Sequence, residues 1–237
     1  VARRATVDSE WDEPTHLGPT VNTTTHEWGL SISADGLSLY FTYGGDPIGR
    51  LYVTKRTTLD GDWGPPASVG GAVGSEIAVT PCISADDLEL YFVSRRSGGY
   101  GDCDLWVTTR ATVNDDWGTP INLGAAVNSP YLECDPVISP DGLSLFFSST
   151  RPGGRSGQDI YMVRRATRKD PWGPSINLGS TLNRTFGQRP GSISFDGSML
   201  YFFCSWPGGC GSRDIWRIPI IRIADSKSDG EVQRDQR

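Results

Sequence analysis

The sequence predicts an all-β fold, a β-propeller with four blades of four antiparallel strands each, and three observations lead to this prediction. A nine-residue motif occurs four times, in which a Ser-x-Asp turn precedes alternating apolar and polar residues. A tryptophan marker recurs at nearly the same spacing. The 237 residues include 29 Gly and 16 Pro, a content that helical proteins rarely tolerate. Repeats of roughly 40 to 55 residues with several short strands are typical of propeller blades.

The repeated motif joins a tight turn to a half-buried strand. Its Asp is expected to accept hydrogen bonds from neighbouring backbone N–H groups, and the Gly that follows in three copies accepts a positive φ. The second copy has Asp87 in place of this Gly. Calcium binding is the alternative role, but it would need several oxygen ligands converging from one loop. We therefore predict structural turns at Asp35, Asp86, Asp141 and Asp196.

Four strands can be assigned within one repeat. In the third repeat they are residues 136–138, 143–148, 159–164 and 172–178, of which the last begins at the tryptophan marker and forms the outer strand. Inner strands are expected to carry the contacts between blades, while outer strands face water on one side.

The two chain ends bear on how the ring closes, because a propeller must close or leave strand edges bare. The last repeat has no Trp-Gly-x-Pro strand, whereas residues 11–18 resemble an outer strand that precedes the first repeat. We predict that the N-terminal strand completes the last blade, in a single domain of residues 1–223. The alternative is that the chain is part of a longer propeller. Residues 224–237 have little to bury and are expected to be disordered.

Charge and hydropathy exclude some partners. The formal net charge of −6 argues against nucleic acid, because binding to phosphates needs clustered Lys and Arg. No apolar run approaches the roughly 18 to 20 residues of a transmembrane helix. Cys204 and Cys210 flank a short turn and could form a disulfide, or both could be small, partly buried thiols. The Cys and His spacings do not predict a zinc site, and no metal or cofactor is expected.

Candidate ligand-binding residues lie in the loops that lead from an outer strand to the next inner strand. These loops and the Gly-rich hairpins are expected to open on one face, around the central channel. Glu27, Glu133 and Gln188 are equivalent in the repeat, so we predict that they point toward the channel axis; alternatively, they hydrogen-bond the backbone of the adjacent blade. Such polar and aromatic groups suit a polar ligand. The candidate set is His26, Glu27, Tyr131, Glu133, Asp135, Phe186, Gln188 and Arg189.

The four turns, and the hairpins that end in 104–106, 159–161 and 214–216, resemble the TolB-type, WD-like family of propeller repeats. The resemblance covers residues 11–223. It implies a bacterial protein in the periplasm or outside the cell, and it leaves the activity open, because such repeats occur in scaffolds, in outer-membrane assemblies and beside enzymatic domains. The first repeat departs from the pattern, because it has no Asp before Leu51.

No catalytic motif is present: the sequence has no G-x-S-x-G, no H-E-x-x-H and no phosphate-binding loop. We therefore predict a non-catalytic module that binds a protein or a glycan at the loop face of the channel. The first alternative is a carbohydrate-active enzyme, a glycoside hydrolase or polysaccharide lyase, that uses acidic residues such as Glu27 and Glu133. The second alternative is a structural array of blades within a larger protein.

Overall fold

The computed structural model describes residues 6, 9–10, 12–44, 49–155, 157–184, 187–208 and 211–220. Within these ranges the chain forms fifteen strands and one short helix. In chain order the elements are β1 (Glu27–Ile32), β2 (Ser38–Tyr43), β3 (Arg50–Lys55), β4 (Ala67–Ser68), α1 (Gly71–Gly74), β5 (Val79–Ile83), β6 (Glu89–Ser94), β7 (Asp104–Thr109), β8 (Ile121–Asn122), β9 (Glu133–Ile138), β10 (Ser144–Ser149), β11 (Asp159–Arg164), β12 (Ile176–Asn177), β13 (Arg189–Ile193), β14 (Met199–Cys204) and β15 (Asp214–Pro219).

These strands form four antiparallel sheets, which confirms the all-β class and the four propeller blades. Blade 1 has the order β1-β2-β3-β4, blade 2 β5-β6-β7-β8, blade 3 β9-β10-β11-β12, and blade 4 β13-β14-β15. In blades 1 to 3 the outermost strand has only two residues. The proline of the Trp-Gly-x-Pro segment lacks a backbone N–H and favours so short a pairing. In the described part of the chain no helix is long and apolar enough to cross a bilayer.

Every blade contains the predicted turn between its first and second strands. In blade 1, Asp35 Oδ1 accepts hydrogen bonds from Ser33 Oγ at 2.5 Å and from Leu37 N at 2.8 Å. The same bonds occur in the other three blades. The residue after Asp has a positive φ in all four, including Asp87 with φ 60°. These local bonds explain why the motif recurs, since they orient the second strand of each blade.

Apolar side chains fill the space between consecutive blades. Each core joins a fully buried residue from the third strand of one blade to a buried Leu from the second strand of the next. The pairs are Leu51 with Leu90, Leu105 with Leu145, and Ile160 with Leu200. Burial of this kind contributes about 1.5–3 kcal/mol for each large side chain. The contacts between blades therefore provide much of the stability of the fold.

The junction between blade 4 and blade 1 differs from the other three. By the same pattern Ile215 of blade 4 would pack on Leu39 of blade 1, but Ile215 is 80% exposed. Leu39 instead packs with Trp63, Val21 and Leu17. The described residues thus show no added strand on blade 4. Residues 1–5, 7–8 and 11 lie outside the described part, as do 221–237, so both closure by the N-terminal strand and a disordered C-terminal tail stay predictions.

A β-bulge interrupts the first strand of each blade where that strand pairs with the second. Gly29, Thr80 and Asp135 occupy the same position in the bulges of blades 1 to 3, with φ of 61°, 49° and 54°. A Cβ on Gly29 would lie 2.8 Å from the Cα of Thr80, so the close approach of β1 and β5 requires glycine there. Bulges change the direction in which neighbouring side chains point, and these bulges border the centre of the molecule.

Candidate functional site

The first strands of all four blades line one central cavity of about 460 Å³. It lies toward the N-terminal ends of β1, β5, β9 and β13. A second cavity of about 250 Å³ is lined by the C-terminal halves of the same strands. The larger cavity therefore lies on the side of the loops that lead from one blade to the next. Its polar and aromatic lining residues are Trp28, Thr80, Asp135, Arg189, Phe203 and Arg213.

Asp135 contributes a carboxylate to the wall of this cavity. Its side chain is 11% exposed, and its Oδ2 accepts a hydrogen bond from Ser148 Oγ at 3.0 Å. Burial raises the pKa of Asp135, and the positive charges of Arg189 and Arg213 partly offset that rise, as does the bond from Ser148. Asp135 thus binds a proton more readily than an exposed aspartate does.

Two arginines from blade 4 lie at the same cavity. Arg189 Nε is 3.7 Å from Asp135 Oδ2 and donates a hydrogen bond to Gln158 Oε1 at 2.8 Å. Arg213 precedes β15, is exposed, and lies near enough to lower the pKa of Asp135. The cavity therefore has two guanidinium groups and one carboxylate, a local excess of positive charge in a chain whose formal net charge is −6.

Aromatic and proline side chains form the remaining walls. Trp28 is 43% exposed, and Phe203 is partly buried. Pro81, Pro136 and Pro190, from three different blades, also line the cavity. The wall thus combines aromatic faces with strand segments that lack a backbone N–H at these positions.

Glu133, by contrast, is held within blade 3 and does not line the cavity. Its buried carboxylate accepts hydrogen bonds from Ser129 Oγ at 2.5 Å and from Ser149 Oγ at 2.8 Å, and it forms an ion pair with Arg151 at 3.0 Å. The equivalent Glu27 accepts a hydrogen bond from Thr23 Oγ1 at 2.5 Å. Glu27 therefore bonds its own loop, whereas Glu133 bonds its own loop and the end of β10.

The other sequence candidates are spread over the loops. Gln188 is buried, and its backbone N donates to Gln158 O at 2.9 Å. His26 and Tyr131 are exposed and do not line the cavity. Phe186 lies outside the described residues. Of the eight candidates predicted from the sequence, the structure brings Asp135 and Arg189 together at the cavity.

Sequence reasoning did not identify Trp28, Phe203 and Arg213. A signal for the first of these was present, because Trp28 and Arg189 occupy the same position of the repeat when the strands are aligned on their Ser-x-Asp turns. The tip of the blade 4 hairpin likewise places Arg213 directly before the repeated Asp214. Trp28 and Arg189 therefore share a position of the repeat that lies one residue after the position of Glu27, Glu133 and Gln188.

The structure has no candidate metal centre within its described residues, where no group of three or more His, Cys, Asp or Glu could hold an ion. The turn aspartates direct their Oδ1 atoms to serine hydroxyls and backbone N–H groups. Cys204 is a buried thiol, while its predicted disulfide partner Cys210 lies outside the described part of the chain. That pairing stays a prediction.

Comparisons with known proteins identify the fold. No protein-family model and no curated protein matches the chain. Among solved structures, TolB from Acinetobacter baumannii matches 85% of this chain and 43% of its own, with 14% identity and a TM-score of 0.55. A protein assigned as TolB from Agrobacterium tumefaciens matches 84% of this chain and 60% of its own, with 23% identity and a TM-score of 0.55.

An alpha-L-arabinofuranosidase from Lactobacillus brevis has a similar fold, with a TM-score of 0.58 and 15% identity over 81% of this chain and 72% of the enzyme. The chain spans about two fifths and three fifths of the two TolB structures. The arrangement of its blades is therefore that of a TolB-type β-propeller, and at these identities the likeness concerns the fold alone.

Proposed function

We propose that this chain is a non-catalytic binding module that takes a protein segment or a glycan at the mouth of its central cavity. The observation that carries the proposal is the cavity itself, where Trp28, Asp135, Arg189 and Arg213 converge from three blades. Its volume of about 460 Å³ lies within the range of ligand sites in proteins. Convergent charged groups beside aromatic faces are typical of sites that orient a polar ligand.

The positions of the carboxylates support binding over glycoside chemistry. Glycoside hydrolysis ordinarily uses two carboxyl groups that flank the scissile bond. Asp135 is the one carboxylate among the described residues that line the cavity. Glu27 and Glu133 use theirs to hold loops. The similarity to an arabinofuranosidase concerns the fold alone and therefore does not favour an enzyme over a binding module.

The repeat resemblance supports a compartment for the proposed module. TolB-type repeats of this kind imply a periplasmic or extracellular bacterial protein, and we place the binding module there. Fractionation of cells that express the full-length gene product tests this placement, and recovery in the cytoplasmic fraction alone would contradict it.

The binding function is tested with labelled protein on a glycan array and on an array of peptides. We expect some of the array ligands to bind the native chain but not the Arg189→Ala variant, because the guanidinium of Arg189 lies at the cavity. Arg95→Ala is the matched control, since Arg95 is an exposed arginine that pairs with Asp102 away from the cavity. If every array ligand of the native chain also binds both variants, the assigned site is contradicted. New reducing ends or unsaturated ends released from a bound polysaccharide would contradict a non-catalytic role.

A further inference from the structure

We propose that the cavity binds an anionic carbohydrate, with the carboxylate of a uronic acid residue held by Arg189 and Arg213 and the sugar ring packed on Trp28. The inference rests on the proposed function, because it names the ligand class of the same cavity. Three features of the cavity lead to it: its charge balance, its strand edges and its exposed aromatic face.

The charge balance suits a ligand with a single negative charge. Arg189 and Arg213 contribute two positive charges, and Asp135 contributes one negative charge. The Nε of Arg189 donates to Gln158, so the donors that remain for a ligand are those of its two terminal nitrogens. Within the described residues, Arg213 forms no ion pair. A carboxylate matches the remaining charge and the forked geometry of guanidinium groups, whereas a dianion would be repelled by Asp135.

The strand edges around the cavity are poorly suited to an extended peptide. A peptide that adds to a sheet edge needs a regular series of free N–H and C=O groups. Pro81, Pro136 and Pro190 each lack the N–H group, and a β-bulge interrupts the first strand of every blade. Prolines and bulges are the devices by which proteins prevent strand addition. Side chains must therefore provide the recognition here.

The exposed aromatic face suits a sugar ring. Trp28 is 43% exposed at the cavity, and Phe203 lines the same space. A large flat indole provides an apolar surface for the C–H face of a pyranose. The carboxylate of Asp135 lies at the same wall and is an acceptor for sugar hydroxyl groups. A uronic acid residue has a carboxylate that complements the two arginines, a ring face that complements Trp28 and hydroxyl groups that complement Asp135.

Isothermal titration of the full chain provides the test. The ligands are the methyl glycoside of galacturonic acid, which carries one carboxylate, and its neutral counterpart, the methyl glycoside of galactose; the methyl glycosides of glucuronic acid and glucose form a second pair. We expect the uronate to bind at least about 10-fold more tightly than the neutral sugar, because only the uronate can form charge-assisted hydrogen bonds with the guanidinium groups. Affinity should fall as salt is raised, since the partly exposed charges are screened.

The matched variants are Arg213→Ala and Arg217→Ala. Both arginines are exposed residues of blade 4, but only Arg213 lines the cavity. Arg213→Ala should weaken uronate binding by about 10-fold or more, and Arg217→Ala should leave it within about 2-fold. Circular dichroism verifies that both variants fold. Arg213→Lys should restore part of the affinity, because it keeps the positive charge.

The outcomes separate this inference from the proposed function. Equal affinity for uronate and neutral sugar would overturn the inference, and so would binding of a peptide without binding of uronate, but either would leave a binding module. Uronate binding that Arg213→Ala does not weaken would also overturn it. If none of the uronates, neutral sugars or array peptides binds, both the inference and the proposed function fail.

Discussion

The carboxylate of Asp135 in blade 3 lies 3.7 Å from the Nε atom of Arg189 in blade 4, where the first strands of the two blades border the central cavity. The bulge at Asp135, with φ 54°, allows this contact, because it turns the side chain toward the neighbouring blade. A polar contact between blades thus forms part of the wall of the candidate site.

The first prediction concerns the charge of Asp135. Burial raises the pKa of this carboxyl in the folded protein, so ionisation costs folding free energy as the pH rises through that pKa. Asp135→Asn removes this cost and tolerates the positive φ. We expect the variant to be more stable than the native chain at pH 7.

Below a pH of about 3.9, the ordinary pKa of aspartate, both side chains are neutral and the difference should disappear. Urea denaturation at pH 7 and at pH 3 measures the difference in the free energy of unfolding between the two proteins. Asp102→Asn is the control, because that side chain is 66% exposed and should have little effect. A lower stability of Asp135→Asn at pH 7 would show that the ion pair with Arg189 outweighs the cost of burial.

The second prediction separates the two equivalent glutamates. Glu133→Ala leaves Arg151, which is 15% exposed, without its carboxylate partner and should destabilise the fold by about 3–5 kcal/mol. Glu27→Ala removes bonds within an exposed loop and should cost less than about 1 kcal/mol. Thermal and urea denaturation measure both effects. Similar costs at the two positions would contradict the structural role assigned to Glu133.

The same pair tests the enzymatic alternative. If the chain degrades a polysaccharide with these carboxylates, the double variant Glu27→Ala/Glu133→Ala should abolish turnover. We expect no turnover in the native chain. Turnover that the folded double variant lacks would favour the enzyme.

The third prediction concerns the contact between β1 and β5. Gly29→Ala places a methyl group 2.8 Å from the Cα of Thr80 and also strains a residue with φ 61°. Gly124→Ala is the matched control, because Gly124 has φ 77° but no atom lies within 4 Å of the position that its new methyl group would take.

Gly124→Ala should lower the free energy of unfolding by about 1–2 kcal/mol, from backbone strain alone. Gly29→Ala should cost clearly more, because the steric conflict adds to that strain and involves backbone that cannot move aside easily. Equal destabilisation in urea titrations would mean that the two first strands can separate without loss.

The fourth prediction concerns a polar contact between blades 2 and 3. Arg168 forms an ion pair with Asp86 and lies 3.1 Å from Glu89. Partial burial would raise the pKa of Asp86, but hydrogen bonds from Arg168 and Ser84 outweigh it and hold this pKa at about 2. The stabilisation is therefore present above a pH of about 3.9 and is lost as the pH falls toward about 2.

A double-mutant cycle with Asp86→Asn and Arg168→Ala measures this coupling. At pH 7 we expect a coupling free energy of less than about 1 kcal/mol between Asp86 and Arg168, because both side chains are about one third exposed. The coupling should decrease at a pH of about 2.5, between the two pKa values. A coupling that does not change with pH would exclude the ionised Asp86 as its source.

Local chemistry explains which parts of the fold were predictable. The bonds from Ser33 and Leu37 to Asp35 link residues two positions apart, so the motif reveals them directly. The alternation of apolar residues likewise located the strands of each blade. The outer strands are shorter than the sequence indicated, because only two residues of each pair with a neighbour.

The candidate site was less predictable, because its contacts cross between blades. Glu27 and Glu133 stand at equivalent positions, but neighbouring threonine and serine hydroxyls bind their carboxylates, and neither residue lines the cavity. Asp135 and Thr80 adopt a positive φ that sequence reasoning reserves for glycine, and bulges of this kind determine which side chains face the cavity. Arg213 reaches the cavity from the hairpin of the last blade.

The sequence by itself determined the repeated units of this protein: four turns, the strands that follow them and the apolar residues that pack between blades. Those features depend on neighbours within a few residues and on a regular alternation of side chains. The tertiary structure alone decided that Trp28, Asp135, Arg189 and Arg213 border one cavity, and that Ile215 is exposed where blade 4 would meet blade 1. Residues so far apart in the chain become neighbours only when the packed blades bring their first strands around one centre.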